Sequence, residues 1–208
     1  MAMKTSGAHP GALVTRALPD GAMRLVVSVL LILAGTAVLA IAAKIKVPFF
    51  PVPMTLQTLA VVALASAYGA RLGVLTVLAY LAEGMLGLPV FTNTPPLIAG
   101  PAYFMGPTGG FLAGFVAMAA IVGAAADRGW AASWPKMFGA MLAGEVLMMA
   151  LGLVWLAWFA SLSSGASGLG LSTAFSAGVM PFILGDLLKI ALATLFALAL
   201  SSGTRRAR

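Results

Sequence analysis

The chain has 208 residues, of which 62% are hydrophobic and only 8% are charged, and its formal net charge is +7. Together with a mean hydropathy of +1.07, this composition is typical of a polytopic membrane protein and excludes a soluble domain. The sequence contains no cysteine, which excludes disulfides, thiol catalysis and thiolate metal sites. Its single histidine, His9, lies in a polar N-terminal stretch, so we expect neither a metal site nor a cofactor. The basic residues lie at helix ends and in the tails rather than on one face, which argues against a nucleic-acid partner.

Six apolar segments follow one another along the chain. We predict membrane-spanning helices at approximately 24–43, 54–68, 72–87, 106–126, 137–159 and 179–200. The second and third are short, because a spanning helix needs roughly 20 residues. Proline-rich connectors follow the first and third segments, and proline does not continue a helix.

This pattern predicts an all-α integral membrane protein with six transmembrane helices in a single domain, residues 23–202. A disordered N-terminal tail (1–22) precedes the domain and a basic C-terminal tail (203–208) follows it.

The distribution of basic residues predicts that both termini lie in the cytoplasm, in a bacterial cytoplasmic membrane. The connectors between the third and fourth segments and between the fifth and sixth contain no lysine or arginine, whereas those expected inside contain Arg71, Arg128 and Lys136. Lys44 and Lys46 are the exception, since they fall outside. We interpret them as interfacial residues that snorkel rather than as residues that attract an anion.

The last apolar segment contains an acid and a base three residues apart, Asp186 and Lys189. On a helix they share one stripe with Phe182, in the outer half of the membrane and roughly 10 Å from the start of the helix. Ionisable groups inside a membrane are costly and usually face a cavity, so the pair indicates a functional site. The alternative is an intrahelical ion pair that only neutralises itself, but such a pair would not need access from outside.

Few other polar side chains fall inside the predicted membrane region. They are Gln57, Tyr80, Glu83, Asn93, Thr108 and Glu145. No motif of an intramembrane protease, a phosphotransferase or an ATPase accompanies them. We interpret Glu145 as a buried neutral or hydrogen-bonded group, with proton coupling and ligand contact as alternatives.

A carboxylate, an amine and an amide in an apolar cleft suit a small, mostly apolar ligand. The head of that ligand would carry N–H groups, and a carboxylate elsewhere on the ligand would also fit. Trp155 is a candidate wall for its apolar part, although packing is the plainer role.

Four motifs occur in a characteristic order: PVPMTLQTLAV (51–61), GLPVF (87–91), GPTGGFLAGF (106–115) and PFILGDLLK (181–189). In order and spacing they resemble the BioY family, the biotin-binding S components of energy-coupling factor (ECF) transporters. The resemblance covers approximately residues 30–200.

The resemblance implies a six-helix S-component fold that captures biotin from outside with high affinity. Uptake would be driven by ATP hydrolysis on partner subunits, namely a transmembrane coupling protein and two ATPases, so this chain would not itself be an enzyme. The rival functions are a solitary or oligomeric biotin carrier without ATPases and a proton-coupled vitamin transporter that uses Glu145 and Asp186. A membrane enzyme is disfavoured by the missing catalytic motifs.

The resemblance also implies roles for individual residues. Asp186 would accept the ureido N–H groups of biotin, while Lys189 would pair with Asp186 or hold a polar end of the ligand. The remaining residues of the predicted ligand site are Asn93, Gln57, Phe111 (where tyrosine is common in the family) and Trp155. The nearest equivalent of the Ala-xxx-Ala face with which S components dock the coupling protein is Thr36 with Ala40.

Overall fold

The computed structural model describes residues 12, 14–15, 18–97, 99–162 and 165–206, the last four through their backbone only. Most of the predicted tails, including Lys4, His9, Arg16 and Arg208, therefore lies outside the described residues. Ala12, which is described, is buried, and its N–H donates to Asp127 Oδ1 at 3.2 Å. At this residue the chain packs on the helices, which a disordered tail would not do.

The described elements follow one another in chain order. They are α1 (Ala22–Lys44), β1 (Lys46–Val47), β2 (Met54–Thr55), α2 (Gln57–Met85), α3 (Pro101–Met105), α4 (Gly109–Asp127), α5 (Trp134–Trp158), α6 (Leu171–Gly178) and α7 (Ile183–Arg206). Short 3-10 turns, Trp130–Ala132 and Met180–Phe182, precede α5 and α7. Within the described ranges, five stretches are long and apolar enough to cross a membrane: α1, α2, α4, α5 and the stretch Leu171–Ser202, which joins α6 to α7.

Helix α2 is two helical segments, 57–68 and 70–85, that fold back on each other at Gly69. The backbone of Gly69 is not helical, with φ 79° and ψ 177°. Gln57 Nε2 donates to the hydroxyl of Tyr80 at 2.8 Å, although 23 residues of straight helix would place them roughly 35 Å apart. The two segments therefore lie side by side, and the prediction of six helical segments is confirmed.

Asp127, at the end of α4, holds the reversal in place. Its Oδ2 accepts the N–H of Ala70 at 2.9 Å. A Cβ at Gly69 would lie 2.3 Å from Asp127 Oδ1, and the backbone conformation of Gly69 is one that only glycine adopts easily. The reversal thus requires both a glycine and the carboxylate that packs against it.

Helix α4 is the centre of the bundle, packed between α2 and α5. At Gly114 a Cβ would lie only 2.8 Å from Met148 Cα of α5, so the two backbones approach as closely as small residues permit. Met118, Val122 and Met141 are fully buried in this region. The close α4–α5 contact forms the rigid base on which the site is built.

The connectors α1–α2, α2–α4 and α5–α6 meet at one end of the bundle. Lys44 Nζ donates to the carbonyl oxygens of Pro89 at 2.7 Å and Phe91 at 2.6 Å. The N–H of Ser161 donates to the carbonyl of Met105 at 2.7 Å. Lys44 thus holds the α2–α4 connector, here called the long connector, and does not only reach toward the interface. The backbone carbonyls of this connector accept hydrogen bonds from the ammonium group of Lys44.

Candidate functional site

The carboxylate of Asp186 and the ammonium group of Lys189 lie together on the first turns of α7, at the end where the connectors meet. Lys189 Nζ lies 2.8 Å from Asp186 Oδ1 and also donates to the carbonyl of Thr55 at 2.8 Å. The hydroxyl of Thr58 donates to the same Asp186 oxygen at 3.2 Å. Both contacts of Asp186 are made by its Oδ1 atom.

The ion pair does not satisfy its own hydrogen-bonding groups. Within the described residues, no N–H or hydroxyl group donates to the buried Asp186 Oδ2, although the carboxyl group of Glu145 is close enough to share a proton with Asp186. The two bonds of Lys189 Nζ to described residues leave one of the three ammonium donors of a lysine unused. Buried polar atoms of this kind are normally satisfied by protein or by a bound molecule. A small group with both N–H donors and an acceptor oxygen would satisfy both sides.

Asp186 and Lys189 form part of the wall of a small cavity of about 50 Å³, here called the inner cavity. Its polar lining consists of Thr55, Gln57, Thr58, Tyr80, Thr92, Tyr103, Thr108, Asp186 and Lys189. Its apolar lining consists of Val52, Pro53, Phe91, Phe111, Leu112, Phe115, Met148, Met149 and Phe182. Phe182, Asp186 and Lys189 line it together, as their predicted stripe requires.

A larger outer cavity of about 840 Å³ adjoins the inner one and shares Pro53, Tyr103 and Thr108 with it. Its wall is formed by the three connectors, including Phe49, Leu97 and Leu162. The inner cavity alone is small for an organic ligand, since ligand pockets measure about 300–1,000 Å³. The two cavities together offer a polar end and a wide apolar approach.

Hydrogen bonds and aromatic contacts fix the long connector above the inner cavity. Tyr80 accepts from Gln57 and donates to the carbonyl of Val90 at 3.2 Å. The hydroxyl of Tyr103 donates to the carbonyl of Thr92 at 2.7 Å, and burial raises the pKa of Tyr103 to about 12, which keeps this donor protonated at neutral pH. The ring of Phe91 stacks on Tyr103 with centroids 4.7 Å apart.

The predicted ligand residues take different positions. Gln57 and Phe111 line the inner cavity. Asn93 lines the outer cavity, and its Oδ1 accepts a hydrogen bond from Lys46. Trp155 is not among the residues lining either cavity, because its Nε1 donates to the carbonyl of Gly106 at 2.8 Å and so holds the start of α4.

The predicted docking residues on α1 differ in exposure. Thr36 is buried inside the chain, and its hydroxyl donates to the carbonyl of Leu33, while Ala40 is half-buried. A buried Thr36 is not available to a partner, so this part of the predicted docking face does not fit the structure. Ala37 and Ile41, by contrast, are exposed.

Comparison with known proteins places the chain in a family. The BioY family model matches residues 13–206. The chain belongs to the BioY family. "Biotin transporter BioY2" of Lactococcus lactis subsp. cremoris is 35% identical over 173 residues, which cover 83% of this chain and 89% of that protein. "Biotin transporter BioY" of Thermotoga maritima is 36% identical over 165 residues, covering 79% and 90%.

A solved structure shares the fold of this BioY-family chain. It is the S-component for biotin from an ECF-type ABC transporter, and it matches with a TM-score of 0.71 and 24% identity, covering 88% of this chain and 95% of its own. The BioY-family chain thus has the S-component fold, as the motifs predicted, and is a multi-pass membrane protein.

Sequence reasoning missed several residues of this BioY-family site. Thr58 lies in the motif 51–61 but was not singled out as a site residue, Thr92 lies outside the four motifs, and Tyr103 lies in a connector that was not predicted to be helical. Tyr80 was recognised as a polar residue in an apolar segment but was not assigned to the site. The fold is what assigns Tyr80 to the site, because the reversal at Gly69 places its hydroxyl beside the side chain of Gln57.

Proposed function

We propose that this protein is the high-affinity biotin-binding S component of an ECF transporter. The observation that carries the proposal is that Asp186 Oδ2, beside Lys189, accepts no hydrogen bond from a donor group of the described residues. It lies in the polar wall of a cavity whose other walls are aromatic and aliphatic. The ureido group of biotin presents two N–H donors and one carbonyl acceptor, which complements a carboxylate oxygen next to an ammonium donor.

In this proposal Asp186 Oδ2 accepts one ureido N–H, and the remaining donor of Lys189 bonds the ureido oxygen beside it. Lys189 then pairs with Asp186 and contacts the ligand at the same time. Phe111, Phe115 and Phe182 contact the apolar ring system, and the valeryl chain extends past Tyr103 into the outer cavity. Its carboxylate there stays in contact with water, which avoids the cost of burying an unpaired charge.

We further propose that uptake is energised by a transmembrane coupling protein and two ATPase subunits. Helix α1 suits a docking role, because it is the least buried of the membrane-spanning stretches in the described residues. Its exposed face includes Ala37, Val38 and Ile41, with Ala40 at the edge. This face replaces Thr36 as the proposed contact with the coupling protein.

The proposed orientation has both termini inside a bacterial cytoplasmic membrane. Arg71, Arg128 and Lys136 lie at the end opposite the inner cavity, as the positive-inside rule favours. Biotin would then enter from outside through the outer cavity.

A solitary or oligomeric carrier is the alternative that differs only in its partners. Biotin uptake by cells that express this chain without ATPase subunits distinguishes the two. Uptake in their absence would contradict the ATP-driven proposal.

A proton-coupled transporter is a second candidate because the buried carboxyl groups of Glu145 and Asp186 are close enough to share a proton, and within the described residues no donor group bonds the oxygens of Glu145. It predicts uptake that collapses with an uncoupler and in Glu145→Gln even when ATP is supplied. The ATP-driven proposal predicts that uptake follows ATP hydrolysis instead.

Biotin binding to the purified chain tests the assignment directly. By isothermal titration calorimetry, we expect tight binding that weakens about ten- to hundredfold in Asp186→Asn, since one charge-assisted hydrogen bond contributes about 1.5–3 kcal/mol. Lys189→Ala should weaken binding comparably. Asp20→Asn, the same chemical change at an exposed residue outside the site, is the matched control.

Two outcomes would contradict the proposal. A folded wild-type chain that does not bind biotin would rule out the ligand. Undiminished binding by Asp186→Asn would show that the ligand does not bind to Asp186 on α7.

A further inference from the structure

A third cavity lies between α5 and α7, on the side of the bundle. This side cavity measures about 300 Å³, and among the described residues that line it only Glu145 and Asp186 are polar. Val146, Ile183 and Leu187 line it and are also exposed, at 61%, 46% and 39%. Because these exposed residues are apolar and belong to membrane-spanning stretches, the mouth of the side cavity faces the hydrocarbon of the membrane.

The polar end of the side cavity holds carboxyl oxygens to which no donor group of the described residues is bonded. Glu145 is 5% exposed, and within the described residues no N–H or hydroxyl group donates to either of its oxygens or to Asp186 Oδ2. The two carboxyl groups hydrogen-bond each other only when one of them carries a proton. Asp186 lies in the wall that the side cavity and the inner cavity share. Such atoms are costly to bury, and hydrogen-bond donors are what would satisfy them.

The charges near Glu145 favour a cationic donor. The charged groups acting on Glu145 within the described residues are Asp186 and Lys189, both from α7. Lys189 forms its ion pair with Asp186, so one positive charge faces two carboxyl groups. Glu145 therefore lacks a counter-charge of its own, and a carboxyl group in that position is stable only if it is protonated or paired.

We propose that the side cavity is a second binding site, for a small lipophilic amine that enters from the membrane. The volume of the cavity lies at the lower end of the range for ligand pockets. It therefore fits an amine whose apolar part is a single ring or a short alkyl chain. A neutral amine crosses the hydrocarbon and takes up the proton of the Glu145 carboxylic acid. An ammonium–carboxylate pair then forms, and no net charge has entered the membrane.

This proposal does not depend on the ligand of the inner cavity, because it rests on a different cavity and on Glu145. Three probes with the same cyclohexyl body test it: cyclohexylmethylamine, cyclohexylmethanol and methylcyclohexane. The chain, labelled with [13C]methyl-methionine and reconstituted in lipid nanodiscs, provides a reporter on the protein. Met149 lines both the side cavity and the inner cavity, whereas Met148 lines only the inner cavity. A shift of Met149 without an equal shift of Met148 therefore reports binding in the side cavity.

We expect the amine to shift the Met149 methyl resonance saturably, with a smaller effect on Met148. The alcohol should bind about tenfold more weakly, since it makes a neutral rather than a charge-assisted hydrogen bond, and the hydrocarbon should give no saturable shift. In Glu145→Gln, the affinity for the amine should fall about ten- to hundredfold. Glu83→Gln, on α2 and outside the lining of the side cavity, should leave it unchanged.

Equal shifts by all three probes, with no effect of Glu145→Gln, would overturn the proposal and leave a crevice filled by hydrocarbon. So would the absence of a saturable shift with the amine. If Glu145→Gln does not fold, Val146→Trp gives an independent test, because it fills the mouth and keeps both carboxyl groups. An undiminished response of Met149 to the amine in Val146→Trp would also overturn the proposal.

Discussion

Lys189 is the residue on which the charge of the site depends. It is 8% exposed and stabilises the buried carboxylate of Asp186 through a contact of 2.8 Å. Its second bond, to the carbonyl of Thr55, joins α7 to the connector that precedes α2. Ligand binding and folding therefore share this side chain.

The substitution Lys189→Met should destabilise the protein by about 3–5 kcal/mol, because it leaves the Asp186 carboxylate buried without a counter-charge. Thermal unfolding in detergent measures the effect. The double variant Asp186→Asn/Lys189→Met removes both charges and should recover part of the loss. A single variant as stable as wild type would show that the carboxylate is compensated by other groups.

The core of the site could be predicted from sequence, because its acid and base lie three residues apart on one helix. The groups that complete it could not. Thr58 lies 128 positions from Asp186 and the carbonyl of Thr55 lies 134 positions from Lys189, so only the packing of α2 against α7 brings them together. The position of Trp155 could not be predicted from sequence either. Its Nε1 donates to the carbonyl of Gly106, so its side chain holds a backbone turn and does not line a cavity.

At the scale of the elements, the reversal at Gly69 makes the two α2 segments, 57–68 and 70–85, lie side by side. We expect Gly69→Ala to destabilise the protein by at least about 1–3 kcal/mol, the usual cost of holding a non-glycine residue in such a conformation. The contact of its Cβ with Asp127 adds to this cost.

Thermal unfolding of Gly69→Ala beside Gly139→Ala tests this expectation. Gly139 lies inside α5 with nothing within 4 Å of its Cβ position, so its replacement should be neutral or stabilise by about 0.5–1 kcal/mol. Equal melting temperatures for the two variants would contradict the role given to Gly69.

The tether made by Lys44 is a second feature at this scale. Lys44→Met removes the donor to the carbonyls of Pro89, Phe91 and Thr94. Hydrogen–deuterium exchange of the amides in 88–94 should therefore accelerate by at least about tenfold, the effect of losing a single charge-assisted bond. Lys136→Met, at the opposite end, should not change it. Unaltered exchange in Lys44→Met would mean that the aromatic contacts alone hold the connector.

The helical segments could be predicted because each is a continuous apolar run, and the predicted boundaries differ from the observed ones by only a few residues. Helices α3 and α6 and the β1–β2 ribbon were not predicted. The connectors that contain them show little hydrophobic periodicity and are rich in proline or glycine. The inward orientation of Thr36 was not predictable either. Helix α1 is apolar on all sides, so its sequence does not indicate which face packs on the bundle.

At the scale of the whole molecule, the proposed orientation can be tested because the chain contains no cysteine. Leu97→Cys places a thiol in the exposed part of the long connector, and Lys136→Cys places one at the opposite end. A membrane-impermeant maleimide should label the first in intact cells and the second only after permeabilisation. The wild-type chain is the unlabelled control, and the reverse pattern would contradict the orientation.

The short segments of α2 have a consequence for the surrounding lipid. At 1.5 Å per residue, segments 57–68 and 70–85 are roughly 18 Å and 24 Å long, against about 30 Å for the hydrocarbon core of a bilayer. Leu75 and Leu78 of the second segment are exposed, so the lipid next to this side must thin to meet them, at a cost of fractions of a kcal/mol per Å. The bilayer should therefore be thinner along this flank than beside α1, whose 23 residues are roughly 35 Å long.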